Sequence, residues 1–214
     1  MKLDIKKIKI DKNKVLGFLG YASRKIPPII ERKVDEEIER AYNLLEPVAF
    51  IKHCQITKIE EDTTYFGKEY FLKSEYLAKE LENASSIYLV VYTIGDQIED
   101  KIREYSNGSE MIRAMILDKI GVVALDHIRQ QIKEVILEEV HPFKISAQLF
   151  PGSKDFHISN QKIILDVFQE ENNRISISKY HQLNPIKTVA VIFGIGQVED
   201  KQNMCDGCSS RCFT

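Results

Sequence analysis

The stretch SEMIRAMILDKIGVVALDHIRQQIKEVILEEV, residues 109–140, decides the fold. Its apolar residues recur at helical spacing, and between Met111 and Ile128 they surround the helix almost completely. A helix that is apolar on all sides must be covered by other elements on more than one face. We therefore expect 109–140 to be the long buried helix of the fold, with Ile116, Ile120 and Val123 shielded from solvent.

Gly121 lies inside this predicted helix. A glycine in a helix interior costs about 1 kcal/mol of stability relative to alanine. Such a position usually indicates that another part of the chain packs closely against the helix. We expect a close contact at Gly121.

The remaining segments combine strand and helix patterns without strict alternation. Apolar β-branched runs predict strands, helical spacing predicts helices, and the proline before residue 48 ends one of those helices. Residues 3–10 are predicted to form an edge strand that carries lysines. Residues 15–21 are predicted to form an apolar turn, and residues 143–161 are predicted to be irregular. The mixture favours an α+β fold in which helices flank a twisted, mainly antiparallel sheet. The predicted strands are 48–62, 63–72, 85–95, 175–178 and 188–196, and the predicted helices are 29–45, 73–84, 96–106 and 160–170.

Composition limits the class of protein. The chain has 214 residues, 43% of them hydrophobic and 29% charged, with a net charge of -2. This length predicts a single domain over 1–214, with a cysteine-bearing tail at 203–214. The charge gives no reason to expect nucleic acid as a partner. Without a signal-peptide pattern or an apolar run of membrane-spanning length, we expect a cytoplasmic protein that does not bind membranes.

Three of the four cysteines, Cys205, Cys208 and Cys212, lie close together near the C-terminus. Their spacing allows three thiolates to converge on a zinc ion or an iron–sulfur centre, for which Cys54 or a histidine would be a fourth ligand. Reactive thiols that exchange electrons are a second interpretation, favoured by a reducing cytoplasm. A tail without function is the third.

Other motifs are absent from the sequence. FGIGQ at 193–197 follows a predicted strand but does not have the G-x-G-x-x-G spacing of a dinucleotide site. The five histidines form no zinc-protease spacing. Asp126 and His127 lie in the long helix, where the simplest interpretation is a narrow solvent-facing stripe.

Four stretches, in order, carry a resemblance to a known family. They are VLGFLGY at 15–21, YTIGDQIEDKI at 92–102, MILDKIGVVALDHI at 115–128 and NPIKTVAVIFGIG at 184–196. The chain resembles the activation (reactivation) domain of cobalamin-dependent methionine synthase, in the free-standing short form. The cysteine cluster is similar to the tail of free-standing members.

The resemblance implies an α+β fold and a role as an accessory, not a complete enzyme on its own. It implies help in the reductive reactivation, or remethylation, of a cobalamin-dependent methyltransferase that serves methionine biosynthesis. Cobalamin would be carried by a corrinoid-binding protein or methionine synthase module, S-adenosylmethionine would give the methyl group, and a flavodoxin-type or ferredoxin-type protein the electron. The alternative is a non-catalytic module that docks on a corrinoid protein and has a structural metal or free thiols in its tail.

The resemblance also assigns the ligand-binding residues, Gln148, Pro151, Gly152, Ser153 and Asp155. The family pattern is Arg-x-x-Pro-Gly-Tyr, so glutamine stands here for arginine and serine for tyrosine. Arginine grips a carboxylate with two charge-assisted hydrogen bonds. Losing them costs about 2 kcal/mol, or roughly thirtyfold in affinity. The sequence therefore predicts weakened binding of S-adenosylmethionine.

Overall fold

The structure is a computed structural model that describes residues 2–3 and 8–198. The strands are β1 (Lys2–Leu3), β2 (Val48–Glu60), β3 (Thr63–Phe66), β4 (Tyr70–Lys73), β5 (Ala84–Thr93), β6 (Lys144–Leu149), β7 (Ser176–Ile177), β8 (Leu183–Asn184) and β9 (Thr188–Gly196). The helices are α1 (Lys12–Phe18), α2 (Pro28–Ala41), α3 (Glu75–Glu80), α4 (Gln97–Asn107), α5 (Met111–Val140) and α6 (Asn160–Asp166).

The main sheet has the strand order β4-β3-β2-β5-β9-β6, with β1 paired to β2 beside this path. Every strand pairing among the described residues is antiparallel. The prediction of an α+β fold with a mainly antiparallel sheet is confirmed. In this order β6 pairs with β9 on one side only, and no described residue pairs with its other side, so within 2–3 and 8–198 β6 is an edge strand of the sheet.

The sheet is covered on both faces. On one face, α1, α2, α4 and α5 pack on residues such as Tyr92 and Phe193. On the other, α3 and α6 pack on Leu89 and Ile192. Since β5 and β9 send alternate side chains into these two cores, both strands are apolar at almost every position, as their sequences predicted.

Helix α5 is the buried helix expected from the sequence. Ile116, Ile120 and Val123 are 1%, 0% and 2% exposed, which confirms the prediction for these residues. The contact expected at Gly121 is the side chain of Lys187. A Cβ at position 121 would lie 3.1 Å from the Cε of Lys187, whose amino group continues to Asp118 and forms an ion pair of 2.5 Å.

Three segments differ from the prediction. Residues 63–72, expected to form one strand, are the two strands β3 and β4 with a turn at 67–69 between them. The apolar turn expected around 15–21 is largely helix α1, which the sequence pattern did not indicate because Gly17 lies inside the helix and Gly20 closely follows its end. Asp11 caps this helix by accepting hydrogen bonds from the backbone N–H groups of Asn13 and Lys14. The strand β6 lies inside 143–161, which was expected to be irregular. It is ordered by pairing with β9, a partner distant in sequence.

The N-terminal strand prediction holds in part. Lys2–Leu3 forms β1 and pairs with β2, whereas Ile8 and Ile10 lie outside any strand. Within the described ranges, no helix combines the length and apolar character that a membrane span needs.

The FGIG stretch of β9 has a packing role. A Cβ on Gly194 would lie 2.7 Å from a methyl carbon of Leu81, and one on Gly196 would lie 2.9 Å from the carbonyl oxygen of Asn83. Both glycines therefore allow the chain that follows α3 to lie directly on the sheet.

Candidate functional site

The predicted ligand residues lie at the free edge of the sheet. Gln148 is near the end of β6, and Pro151 and Gly152 form the turn that follows. The carbonyl and N–H groups of an edge strand that face away from the sheet are open to a ligand or a partner. The site is thus a strand edge continued by a tight turn.

The side chain of Gln148 contacts helix α5. Its Oε1 accepts a hydrogen bond of 3.1 Å from the guanidinium of Arg129. The same guanidinium donates to Oδ1 of Asp126 at 2.5 Å, and Oδ2 of Asp126 lies 2.8 Å from the Nζ of Lys14 on α1. These four residues connect the sheet edge to two helices, and we call them the Arg129 cluster.

The electrostatics of the Arg129 cluster keep Asp126 ionised. Burial opposes ionisation of this carboxyl group, but the hydrogen bonds and charges of Lys14 and Arg129 outweigh it and lower the pKa. Tyr92 lies near the cluster and is 2% exposed. Burial raises the pKa of Tyr92 above its ordinary range, so this neighbour stays neutral.

The turn after β6 is held by its own backbone. The N–H of Gly152 donates to the carbonyl of Phe156 at 2.6 Å, and the N–H of Phe156 donates to the carbonyl of Ser153 at 3.0 Å. Gly152 has a φ of +98°, a conformation that favours glycine. Pro151 is buried and Phe156 is 0% exposed, so both ends of the turn are anchored in the core.

Asp155 fixes this turn to helix α3. Its carboxylate accepts hydrogen bonds from the hydroxyl of Ser74 at 3.0 Å and from the N–H groups of Glu75 at 2.7 Å and Tyr76 at 3.2 Å. Next to it, the ammonium of Lys154 lies 3.8 Å from the ring centroid of Tyr76. The structure thus gives Asp155 a role in holding the loop, whereas Gln148, Gly152 and Ser153 remain available at the surface.

Surface clefts occur elsewhere on the described residues. One of about 280 Å³ lies beside the start of α4 and includes Gly95 and Arg174. Two others, of about 550 and 320 Å³, share Ser85 and Phe143 near the ends of β6 and β9. None of these three is lined by 148–155, so the candidate site is an open edge and not one of these clefts.

The predicted metal ligands Cys205, Cys208 and Cys212 lie outside the described residues. Within residues 2–3 and 8–198, no group of three or more His, Cys, Asp or Glu side chains is arranged to hold a metal ion. Cys54 is 8% exposed among apolar side chains, and burial raises the pKa of its thiol. His53 points to the opposite face of β2, where its ring stacks on Tyr88.

Sequence reasoning missed Arg129 and Lys14. A signal was present, since Arg129 lies three positions after Asp126 in the predicted helix, a spacing at which a cation and an anion pair. That its partners would include Gln148 follows only from the fold.

Comparison with known proteins supports the fold. No protein-family model and no curated protein matches the sequence. Among solved structures, the chain is similar to the MetH reactivation domain bound to AdoHcy, with a TM-score of 0.68 and 9% sequence identity. The likeness covers 95% of this chain and 79% of that chain. The chain therefore has the fold of that reactivation domain, and the predicted resemblance is confirmed at the level of fold.

Proposed function

We propose that this protein is an accessory module that assists the reductive reactivation of a cobalamin-dependent methyltransferase. The observation that carries the proposal is the match of nearly the whole chain to a reactivation domain with AdoHcy bound. AdoHcy is what remains of S-adenosylmethionine after its methyl group has been given away. We infer that this chain, which has the same fold, binds the methyl donor from which AdoHcy is formed.

The cofactor belongs to the partner. One electron, together with the methyl group of S-adenosylmethionine, converts inert cob(II)alamin on the partner to methylcobalamin and leaves AdoHcy. This chain would bind the donor and present it to a corrinoid-binding protein or methionine synthase module. A flavodoxin-type or ferredoxin-type protein would supply the electron, in the cytoplasm.

The β6 edge offers hydrogen-bonding groups that suit S-adenosylmethionine. The Nε2 group of Gln148 has no partner among the described residues, and Oε1 is held by Arg129. Beyond Gln148, the turn at Gly152 and Ser153 is fixed from behind by Asp155. A preformed turn loses little conformational entropy on binding, which favours affinity. We assign ligand binding to Gln148, Gly152 and Ser153, with the buried Pro151 shaping their turn and Asp155 as the residue that holds their loop.

We assign electron entry or metal binding to Cys205, Cys208 and Cys212. Their compact spacing suits an iron–sulfur centre or a zinc ion. Cys54 is a poor fourth ligand, because its thiol is buried in the core and β2 would have to open to release it. A partner's residue or a histidine is a better candidate.

The test is binding of the full chain to its partner. Calorimetry would use a methionine synthase module that lacks its own activation domain and is loaded with cob(II)alamin or with methylcobalamin. We expect preferential binding to the cob(II)alamin form, and equal affinity for both forms would contradict the proposal. Preferential binding without any methyl transfer would favour the docking-module alternative.

The assignment of the cysteines has its own test. The anaerobically purified protein is compared with a variant in which Cys205, Cys208 and Cys212 are all serine. An absorption band at about 400 nm that disappears in the variant supports an iron–sulfur centre. A colourless protein that contains zinc supports a structural metal site. Metal content and reactivation that are both unchanged in the variant would contradict the assignment.

A further inference from the structure

We propose that Arg129 supplies the positive charge with which the β6 edge recognises a carboxylate, and that it acts through Gln148. The inference rests on the proposed function, because that function requires a ligand at this edge. Arg129 would be a positioning residue, and Gln148 the residue that touches the ligand.

The orientation of the Gln148 amide follows from the chemistry of its partner. A guanidinium has only N–H donors, so the atom of Gln148 that faces Arg129 at 3.1 Å must be the carbonyl oxygen. The amide NH₂ is then the group of Gln148 that does not face Arg129. It has no partner among the described residues and is not among the buried polar atoms left unpaired. Position 148 therefore offers two N–H donors at the sheet edge.

The Arg129 cluster keeps an excess positive charge behind that amide. Lys14 and Arg129 are two cations that share one anion, Asp126. Arg129 is 8% exposed, and its Nε has no hydrogen-bond partner in the described part of the chain. Charge in a poorly solvated position is screened less than charge at the surface. A ligand anion bound by the Gln148 amide would therefore be attracted by the excess positive charge of the Arg129 cluster.

The arrangement suits a carboxylate. One excess charge behind a two-donor amide matches a single negative charge spread over two oxygens. A phosphate would require more than one positive charge or a direct guanidinium contact. AdoHcy carries a carboxylate of this kind and serves as the probe. 5′-Methylthioadenosine, the same nucleoside thioether without the amino-acid group, serves as the control ligand.

The experiment measures the ratio of the two affinities by titration of the full chain. We expect AdoHcy to bind about tenfold more tightly than methylthioadenosine. Arg129→Gln and Gln148→Leu should each reduce the ratio to near one. The affinity ratio of the double variant should be no lower than that of either single variant, because the two residues act as one unit.

Two more variants keep the test independent of folding. Lys14→Gln changes a half-exposed residue and removes the excess charge while Arg129 and Asp126 stay paired, so the ratio should fall about threefold. Arg103→Gln removes an exposed arginine on α4 that pairs with Asp100, and the ratio should not change. Circular dichroism and thermal melting report whether each variant is folded.

A folded Arg129→Gln or Lys14→Gln variant with the wild-type ratio would overturn the inference. So would a wild-type chain that binds AdoHcy no more tightly than methylthioadenosine. The proposed function is measured separately, by complex formation with the cob(II)alamin-loaded partner. Loss of that complex with the ratio intact would contradict the proposed function but not the role of Arg129.

Discussion

The carboxylate of Asp155 accepts a hydrogen bond from the hydroxyl of Ser74 at 3.0 Å, although the two residues lie 81 positions apart in the chain. The same carboxylate caps the N-terminus of α3. The loop that follows β6 is therefore fixed to α3, on the face of the sheet opposite to α5. A change at Asp155 should disturb both the helix and the candidate site.

Asp155→Ala should lower the free energy of unfolding by about 1 kcal/mol, which is typical of a lost helix cap. Urea denaturation at neutral pH measures the loss. Asp155→Asn is the control, because it keeps an oxygen acceptor without the charge and should lose less. An alanine variant as stable as the wild type would contradict the capping role.

The same contact predicts a pH dependence. Burial opposes ionisation of Asp155, but the hydrogen bonds from Ser74, Glu75 and Tyr76 outweigh it and lower its pKa. The stabilisation is thus complete above the pKa of the unfolded chain, about 3.9, and is lost as the pH falls through the lower pKa of the folded state. The stability difference between wild type and Asp155→Asn should be constant near neutral pH and shrink below about pH 4.

Gly194→Ala should destabilise the protein by about 1–3 kcal/mol, because the new Cβ has no room. It would lie 2.7 Å from a methyl carbon of Leu81, which is 0% exposed, and 3.3 Å from the Cβ of Ala147. Gly108→Ala is the matched control, since its Cβ would meet only ordinary contacts at 3.5 Å and beyond. Thermal melting compares the two variants, and Gly194→Ala should have the lower melting temperature. Equal melting temperatures would show that the sheet accommodates the new Cβ at position 194.

The fold was more predictable from the sequence than the site. Helix α5 and strands β5 and β9 carry strong apolar patterns that correspond directly to burial on two faces. Strand β6 has only six residues between two prolines and depends on β9 for its order, so local patterns could not identify it. The contact between Arg129 and Gln148 depends on how α5 lies on the sheet, which no spacing along the chain encodes.

Restoring an arginine at position 148 requires a second change. Sequence alone predicts that Gln148→Arg with Ser153→Tyr strengthens S-adenosylmethionine binding. In the fold, an arginine at 148 would face the guanidinium of Arg129, and two like charges repel. We expect Gln148→Arg to bind AdoHcy no better than wild type, and Arg129→Gln with Gln148→Arg to bind it better than Gln148→Arg alone. Titration with AdoHcy compares the affinities of these variants. Tighter binding by Gln148→Arg than by the double variant would contradict the contact between positions 129 and 148.

Cys54 should react slowly with iodoacetamide in the folded protein. It is 8% exposed, and burial raises its pKa, so little thiolate is present at neutral pH. Mass spectrometry of its peptide should show alkylation at least about tenfold slower than in urea. Equal rates in the two conditions would mean that the thiol is accessible, and Cys54 would return as a candidate metal ligand.

Reactivation of a partner methyltransferase measures the proposed function itself. A methionine synthase module without its own activation domain, loaded with cob(II)alamin, is mixed with a reduced flavodoxin and S-adenosylmethionine carrying a labelled methyl group. If the proposed function is right, adding this chain produces labelled methylcobalamin and an equal amount of AdoHcy. Failure to produce methylcobalamin, when the chain forms a complex with the module and the electron donor is active, would contradict it.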